Sequence, residues 1–178
     1  MKFSIAVVAF SCAVIIASAA RAEQVDPAVP KNLIVEGLKK AECDVPLDDA
    51  VASADVASLG GRLKLVTISC WRAAYNFGSI LFALDPAAPG KARQLRFQIY
   101  AQKKFMQSYQ LSNADYDERT RMLGSFHKGS GVGDCGSIGE WKWTGANFKL
   151  TGWWFKEDCD GEPFDSDDKT WRVYPPKR

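Results

Sequence analysis

The chain has almost no histidine. His127 is the only one in 178 residues, so any imidazole-based catalyst must be built on that ring. It has no C-x-x-C spacing among its five cysteines, which argues against a four-thiolate zinc site. It has no sustained excess of basic charge. Removing residues 1–22 takes Lys2 and Arg21 from the 23 basic residues and no acid, leaving 21 against 21. No footprint for nucleic acid or anionic lipid follows from that balance. Internal repeats and low-complexity tracts are also missing, and the one long apolar run, from Phe3 to Ala17, is short for a bilayer span.

That run carries other information. Lys2 precedes it, and Ala17-Ser18-Ala19 and Ala20-Arg21-Ala22 follow, the layout of a secretory signal peptide. Residues 1–22 are therefore read as a cleaved signal, with a mature start at Glu23. The expected location is periplasmic or secreted, with no stable membrane anchor after cleavage. Ala9-Phe10-Ser11 is a poor context for lipidation of Cys12. Four cysteines remain: Cys43, Cys70, Cys135 and Cys159. An even count in an exported chain predicts two disulfides. Of the three pairings, Cys43–Cys70 and Cys135–Cys159 keep each bridge within one region.

Residues 23–30 read as a flexible lead and residues 31–178 as a single domain. Leu33, Ile34, Gly37, Leu38 and Ala41 share one helical face, so a short helix is expected over Lys31–Ala41. Asp44–Asp49 reads as a turn around Pro46. Strands are expected over Val51–Leu59 and Arg62–Cys70, joined at Gly60-Gly61, and then over Ser79–Leu84, Gln94–Ala101, Arg119–His127 and Lys169–Tyr174. The predicted fold class is mainly β, α+β at the margin: an antiparallel β-rich domain with one short N-terminal helix and two disulfides.

The most informative stretch runs from Lys128 to Cys159. Glu140-Trp141-Lys142-Trp143 and Phe148-Lys149-Leu150-Thr151 both alternate polar and apolar residues, as strands with one buried face do. Gly145-Ala146 between them suits a tight turn with positive φ at the glycine. This register opposes Trp143 to Phe148 and Trp141 to Leu150. It also extends the aromatic face to Trp154 and leaves Trp153 and Phe155 on the wet face. Gly131, Gly133 and Gly136 satisfy G-x-G-x-x-G, but a dinucleotide site needs a strand before the motif and a helix after it. Here a strand follows, and the glycines read as a tight connection beside a cystine.

Four groups of residues are candidates for function. His127, with Ser125, Ser130 or Ser137 as nucleophile and Asp134 to orient the ring, is a weak candidate catalyst. Trp153 and Phe155 are binding candidates for a glycan or an envelope protein, and Asp134 is a third. Asp158, Asp160, Glu162 and Asp165 lie in an acidic loop that lacks EF-hand spacing, so they are weak Ca²⁺ candidates beside the reading of a solvated loop. No cofactor is expected. These residues point to a monomeric, non-catalytic binding or interaction module. The alternatives are an inhibitor or partner of an envelope enzyme, a hydrolase acting on cell-wall material, and a Ca²⁺-stabilised structural module.

Several fragments together resemble a bacterial exported family known as domain-of-unknown-function family 1176. They are Cys70-Trp71 with Ala74-Tyr75-Asn76, Asn113-Ala114-Asp115, and Lys128 to Gly136. The Trp141-x-Trp143-x-Gly145-x-x-Phe148-x-Leu150 hairpin belongs with them, as do Cys159 with Gly161 and Trp171-Arg172. The resemblance covers nearly all of Cys43 to Arg172. It implies an envelope location and a β-rich domain, and no activity. This chain departs from the pattern at Ser130 and Asp160, where the family usually carries arginine.

Overall fold

The computed structural model describes residues 29–167 and 169–175. The expected signal peptide, and residues 23–28 of the expected lead, lie outside the described residues. Val29, at the end of that lead, is buried. Helix α1 spans Lys31–Lys40, with Ile34, Gly37 and Leu38 buried. Lys39 and Lys40 occupy its last turn, where cations offset the negative end of the helix dipole.

A second helix, α2, spans Leu47–Ala52, where a turn and the start of a strand were expected. Pro46 stands at its N-cap and Asp48 and Asp49 lie in its first turn. Proline at a helix start and acids near its N-terminus both favour the helix. Strand β1 therefore begins later, at Asp55, and ends at Gly60.

Two antiparallel sheets follow. In the first, β1 pairs with β2 (Leu63–Arg72), β2 with β3 (Phe77–Leu84), and β3 with both β4 (Arg93–Gln94) and β7 (Gln110–Ser112). The second runs in the order β12 (Arg172–Tyr174), β11 (Phe148–Lys156), β10 (Gly136–Trp143), β9 (Met122–Lys128), β8 (Asp115–Asp117). A hairpin of β5 (Phe97–Ala101) and β6 (Lys104–Ser108) forms a two-stranded third piece.

The first sheet is covered on both faces, which is why Ile80 to Leu84 reads as an unbroken apolar run. Val66, Ile68, Ile80, Phe82 and Leu84 pack with Ile34 and Leu38 of α1 and Ala50 of α2. Leu65 and Leu81 point the other way, into a core shared with Phe97, Leu123, Trp141, Trp143, Phe148 and Leu150. The order is helices, sheet, sheet. Cys43–Cys70 ties the end of α1 to β2, and Cys135–Cys159 ties the β9–β10 connection to the chain beyond β11, the two expected pairings.

The β10–β11 hairpin has the expected register near its turn. Trp143 opposes Phe148, Lys142 opposes Lys149 and Trp141 opposes Leu150. Gly145 takes φ +93°. One step further the register shifts: Glu140 opposes Gly152, leaving Thr151 as an extra residue. Thr151 Oγ1 donates to the Glu140 carbonyl at 3.1 Å. A bulge of this kind inverts the facing of everything beyond it. Trp153 thus joins the inter-sheet core at 5 % exposure, edge-on to Trp141 with ring centroids 5.9 Å apart. Trp154 turns to the outer face, where the Arg172 guanidinium lies 5.1 Å over its ring. The placement of Trp153 on a wet face is corrected by this bulge, and so is that of Trp154 on the aromatic face. Phe155 shares the facing of Trp153 but remains 41 % exposed. Gly139 permits this packing, because a Cβ there would lie 2.3 Å from the Trp141 ring and 2.7 Å from that of Trp153.

Candidate functional site

Where the two sheets part near β7, a cleft of about 310 Å³ opens between them. Its second-sheet wall consists of two rows of directly paired residues. Ser125, Gly139 and Trp153 form one row, and His127, Ser137 and Phe155 the next. Opposed residues in adjacent strands present their side chains to the same face, so Phe155 stands at the edge of the wall that His127, Ser137 and Trp153 line. The opposite side is built from Gln110, Leu111 and Ser112 of β7 with Trp71, and Ile99 and Tyr100 close it from the β5–β6 hairpin. No carboxylate, ammonium or guanidinium lines the cleft among the described residues.

Most polar groups of the cleft have defined roles. Trp71 Nε1 donates to Gln110 Oε1, and Gln110 Nε2 donates to the Ala41 carbonyl at 3.0 Å. Ser125 Oγ donates to the Ser112 carbonyl at 2.8 Å. Ser112 Oγ lies 2.9 Å from His127 Nδ1. Trp153 Nε1 is buried and makes no hydrogen bond within the described residues, which is unusual for an indole.

The strand that carries His127 is fixed by two asparagines. Asn76, 5 % exposed, donates to the Lys128 carbonyl at 2.9 Å and accepts from the Lys128 N–H at 2.9 Å. Asn113 Nδ2 donates to Asn76 Oδ1 at 2.9 Å and to the Phe126 carbonyl at 2.7 Å. Asn113 also closes on β3, accepting from Phe77 N–H at 2.9 Å through Oδ1 and donating to the Phe77 carbonyl at 2.7 Å through its own N–H. Both chain neighbours of His127 are thus held by side-chain amides where β9 has run past its partner β8. Sequence reasoning gave these asparagines no role.

The sequence-predicted site residues separate into three places. His127 and Trp153 line the cleft, and Phe155 lies beside them. The serine against His127 is Ser112, not Ser125 or Ser130, and Ser137 is its cross-strand neighbour. Asp134 is not positioned to orient the imidazole. It is buried at 7 % exposure, with Oδ1 accepting from Ser130 Oγ and Oδ2 from the Gly161 N–H at 2.6 Å. Those donors, the Ser130 hydroxyl first, hold its carboxyl below the usual aspartate range. Asp134 thereby pins the glycine-rich connection to the chain after Cys159.

The acidic loop answers a buried cation. Lys156 is 1 % exposed, and Asp160 Oδ1 and the Glu162 carbonyl accept from its ammonium at 2.5 and 3.0 Å. The Lys156 hydrogen bond holds the Asp160 carboxyl below its usual range. Asp165 accepts from the Asp167 N–H. Asp158, Asp160, Glu162 and Asp165 do not converge. Among the described residues, the ligand-type atoms that gather in a group of three belong to Asp134, Cys135 and Cys159, and the two sulfurs are joined to each other. Ser130 and Asp160, the two departures from the family pattern, are the partners of Asp134 and Lys156.

The chain is similar to "Uncharacterized protein YpfG" of Escherichia coli (strain K12), with 29 % identity over 115 residues. That alignment covers 64 % of this chain and 33 % of the relative, so the chain spans about a third of the curated protein it matches. No solved structure matches significantly. The family described as "Protein of unknown function (DUF1176)" matches residues 6–174. With nearly the whole chain matched, this protein belongs to the DUF1176 family.

Proposed function

We propose that residues 1–22 direct export, and that residues 31–178 then act in the periplasm or outside the cell as one non-catalytic binding module. The inter-sheet cleft takes an uncharged, hydroxyl-rich ligand, a segment of envelope glycan. The lining of the cleft carries this reading. It combines aromatic rings with hydroxyls and one imidazole and offers no charged side chain, a surface suited to the apolar faces and hydroxyl edges of sugars. Trp153 forms the floor and Phe155 the accessible edge. The two cystines support an oxidising compartment. No described helix is long and apolar enough to cross a membrane.

Titration with neutral oligosaccharides, followed by tryptophan fluorescence, tests the proposal. A saturable change is expected in the wild type. Phe155→Ala should lose it while lowering the urea unfolding midpoint by less than about 0.5 M. Failure of every neutral glycan to give a saturable signal would overturn the reading.

One observation favours a second reading, a hydrolase. Ser112 Oγ and His127 Nδ1 lie within hydrogen-bond reach, the first contact a serine nucleophile needs. No carboxylate hydrogen-bonds His127 among the described residues, so the pair would act without an orienting acid. Turnover of an activated ester that disappears in both Ser112→Ala and His127→Ala would establish this reading. Wild-type turnover at the buffer rate would remove it.

A further inference from the structure

A second concave surface, of about 480 Å³, lies where the end of α1, the β4–β5 connection, the β6–β7 connection and the tip of the β10–β11 hairpin meet. Lys40, Arg93 and Arg96 line it, with Gln107, Tyr109 and Asn147. It shares no residue with the inter-sheet cleft. We propose that this surface binds a phosphoryl group, with Lys40, Arg93 and Arg96 as its cationic ligands.

Three observations support it. Three cations from two separate parts of the chain, Lys40 and the Arg93–Arg96 segment, converge in a protein whose residues after 22 carry equal numbers of basic and acidic side chains. Such a gathering is local, and is not the by-product of a basic chain. Secondly, the ion pairs of the described residues lie elsewhere: Arg62–Asp85, Arg119–Asp117 and Lys156–Asp160. The adjoining hollow, which shares Lys40 and Arg93, adds Lys91 and one carboxylate, Glu36. Thirdly, the cations are held in place by neutral groups. Arg93 donates to Asn147 Oδ1 at 2.8 Å and to the Ala146 carbonyl at 2.5 Å. Lys40 lies 4.5 Å from the Tyr109 ring centre. Hydrogen bonding from Lys40, with Arg96 nearby, lowers the Tyr109 phenol from its ordinary range. A carboxylate is satisfied by one guanidinium fork. Two guanidinium groups and an ammonium match the higher charge and three-dimensional acceptor set of a phosphoryl dianion.

The shared chemistry has three sources, and the experiment separates them: inorganic phosphate, a phosphorylated sugar, and a phospholipid surface. The full secreted chain would be titrated at constant ionic strength with sodium phosphate, glucose 1-phosphate, or vesicles containing about 30 mol % phosphatidylglycerol, with chloride as control. The Tyr109 ring resonance reports locally. Saturation by a phosphoryl probe and not by chloride is expected, and Arg96→Gln and Lys40→Gln should each weaken it about tenfold. Arg119→Gln, at an exposed site elsewhere, should not change it. Saturation by vesicles alone would identify a lipid headgroup, and saturation by glucose 1-phosphate alone a phosphorylated glycan. Arg93→Gln also loses the bonds to the hairpin tip, so the test relies on the other two variants. A response equal to chloride, or one unchanged in Arg96→Gln and Lys40→Gln, would overturn the proposal and leave the inter-sheet reading untouched.

Discussion

Asn76→Ala should be among the most damaging substitutions at a position remote from the hydrophobic cores. The wild-type side chain is almost fully buried and pairs with both backbone groups of Lys128. Alanine removes both partners at once. Asn113 Nδ2, which also donates to Asn76, keeps its bond to the Phe126 carbonyl, so its loss is partial. An unsatisfied buried polar group costs roughly 1–3 kcal/mol. Lys128 is partly exposed, which favours the lower end for its N–H and C=O, and the expected total is about 2–4 kcal/mol. Equilibrium unfolding in urea reads this directly. With a slope of about 2 kcal/mol/M, the midpoint should fall by about 1–2 M at unchanged slope. Asn32→Ala, at an exposed position on α1, serves as control and should stay within about 0.5 kcal/mol. The double variant with Asn113→Ala should be non-additive by at least about 0.5 kcal/mol, since the two amides bond to each other. If Asn76→Ala behaves like Asn32→Ala, the asparagine seam does not hold the sheets together and the reasoning is wrong.

Trp153→Ala should cost about 3–5 kcal/mol, as a buried aromatic does, and Phe155→Ala less than about 1 kcal/mol because its ring is substantially exposed. Paired denaturation curves decide both. Asp134 and Asp160 have folded-state pKa values lowered by the Ser130 hydroxyl and the Lys156 ammonium respectively. Both therefore contribute stability above the ordinary aspartate pKa of about 3.8 and lose it as pH falls through their lower folded values. Stability measured from pH 7 to pH 2 should decline below about pH 4, and Asp134→Asn should flatten that decline. An unchanged acid limb in the variant would show that Asp134 does not contribute to it.

The parts of the fold governed by short-range rules were legible in the sequence. Helix α1 follows from the spacing of Ile34, Gly37 and Leu38. The hairpin tip follows from Gly145 and the alternation of Trp141, Trp143, Phe148 and Leu150. The pairing of the cysteines follows from their even count beyond residue 22 and their proximity along the chain. Helix α2 was missed although Pro46 and the two acids after it are helix-start signals, because six residues show no periodicity. The bulge at Thr151 left no sign, since a register shift depends on what the partner strand offers and not on turn-forming residues. The Ser112–His127 contact and the asparagine seam join positions brought together by the crossing of β7 to β9, and no local pattern encodes that crossing. The basic surface escaped notice for a related reason: Lys40 meets Arg93 and Arg96 only in three dimensions, and net charge averages them away.

The bulge makes this hairpin tolerant of substitution and sets which face each later residue of β11 presents. Thr151 contributes one exposed side chain and one hydrogen bond, so replacing it is a minor change. Deleting it would return β11 to one-for-one pairing and leave its two faces as they are, because Gly152 already opposes Glu140 and Trp153 already opposes Gly139. The faces exchange only if Thr151 is kept and the bulge is ironed out: Thr151 would then oppose Glu140, Trp153 and Phe155 would leave the interior, and Trp154 would enter it together with the ammonium of Lys156, stripped of Asp160. A hairpin paired one-for-one at unchanged length would thus confront a charged group with the tryptophan core. In a family compared by aligned sequences, either one or two residues should therefore stand between Leu150 and Trp153: one with even pairing, two with the bulge.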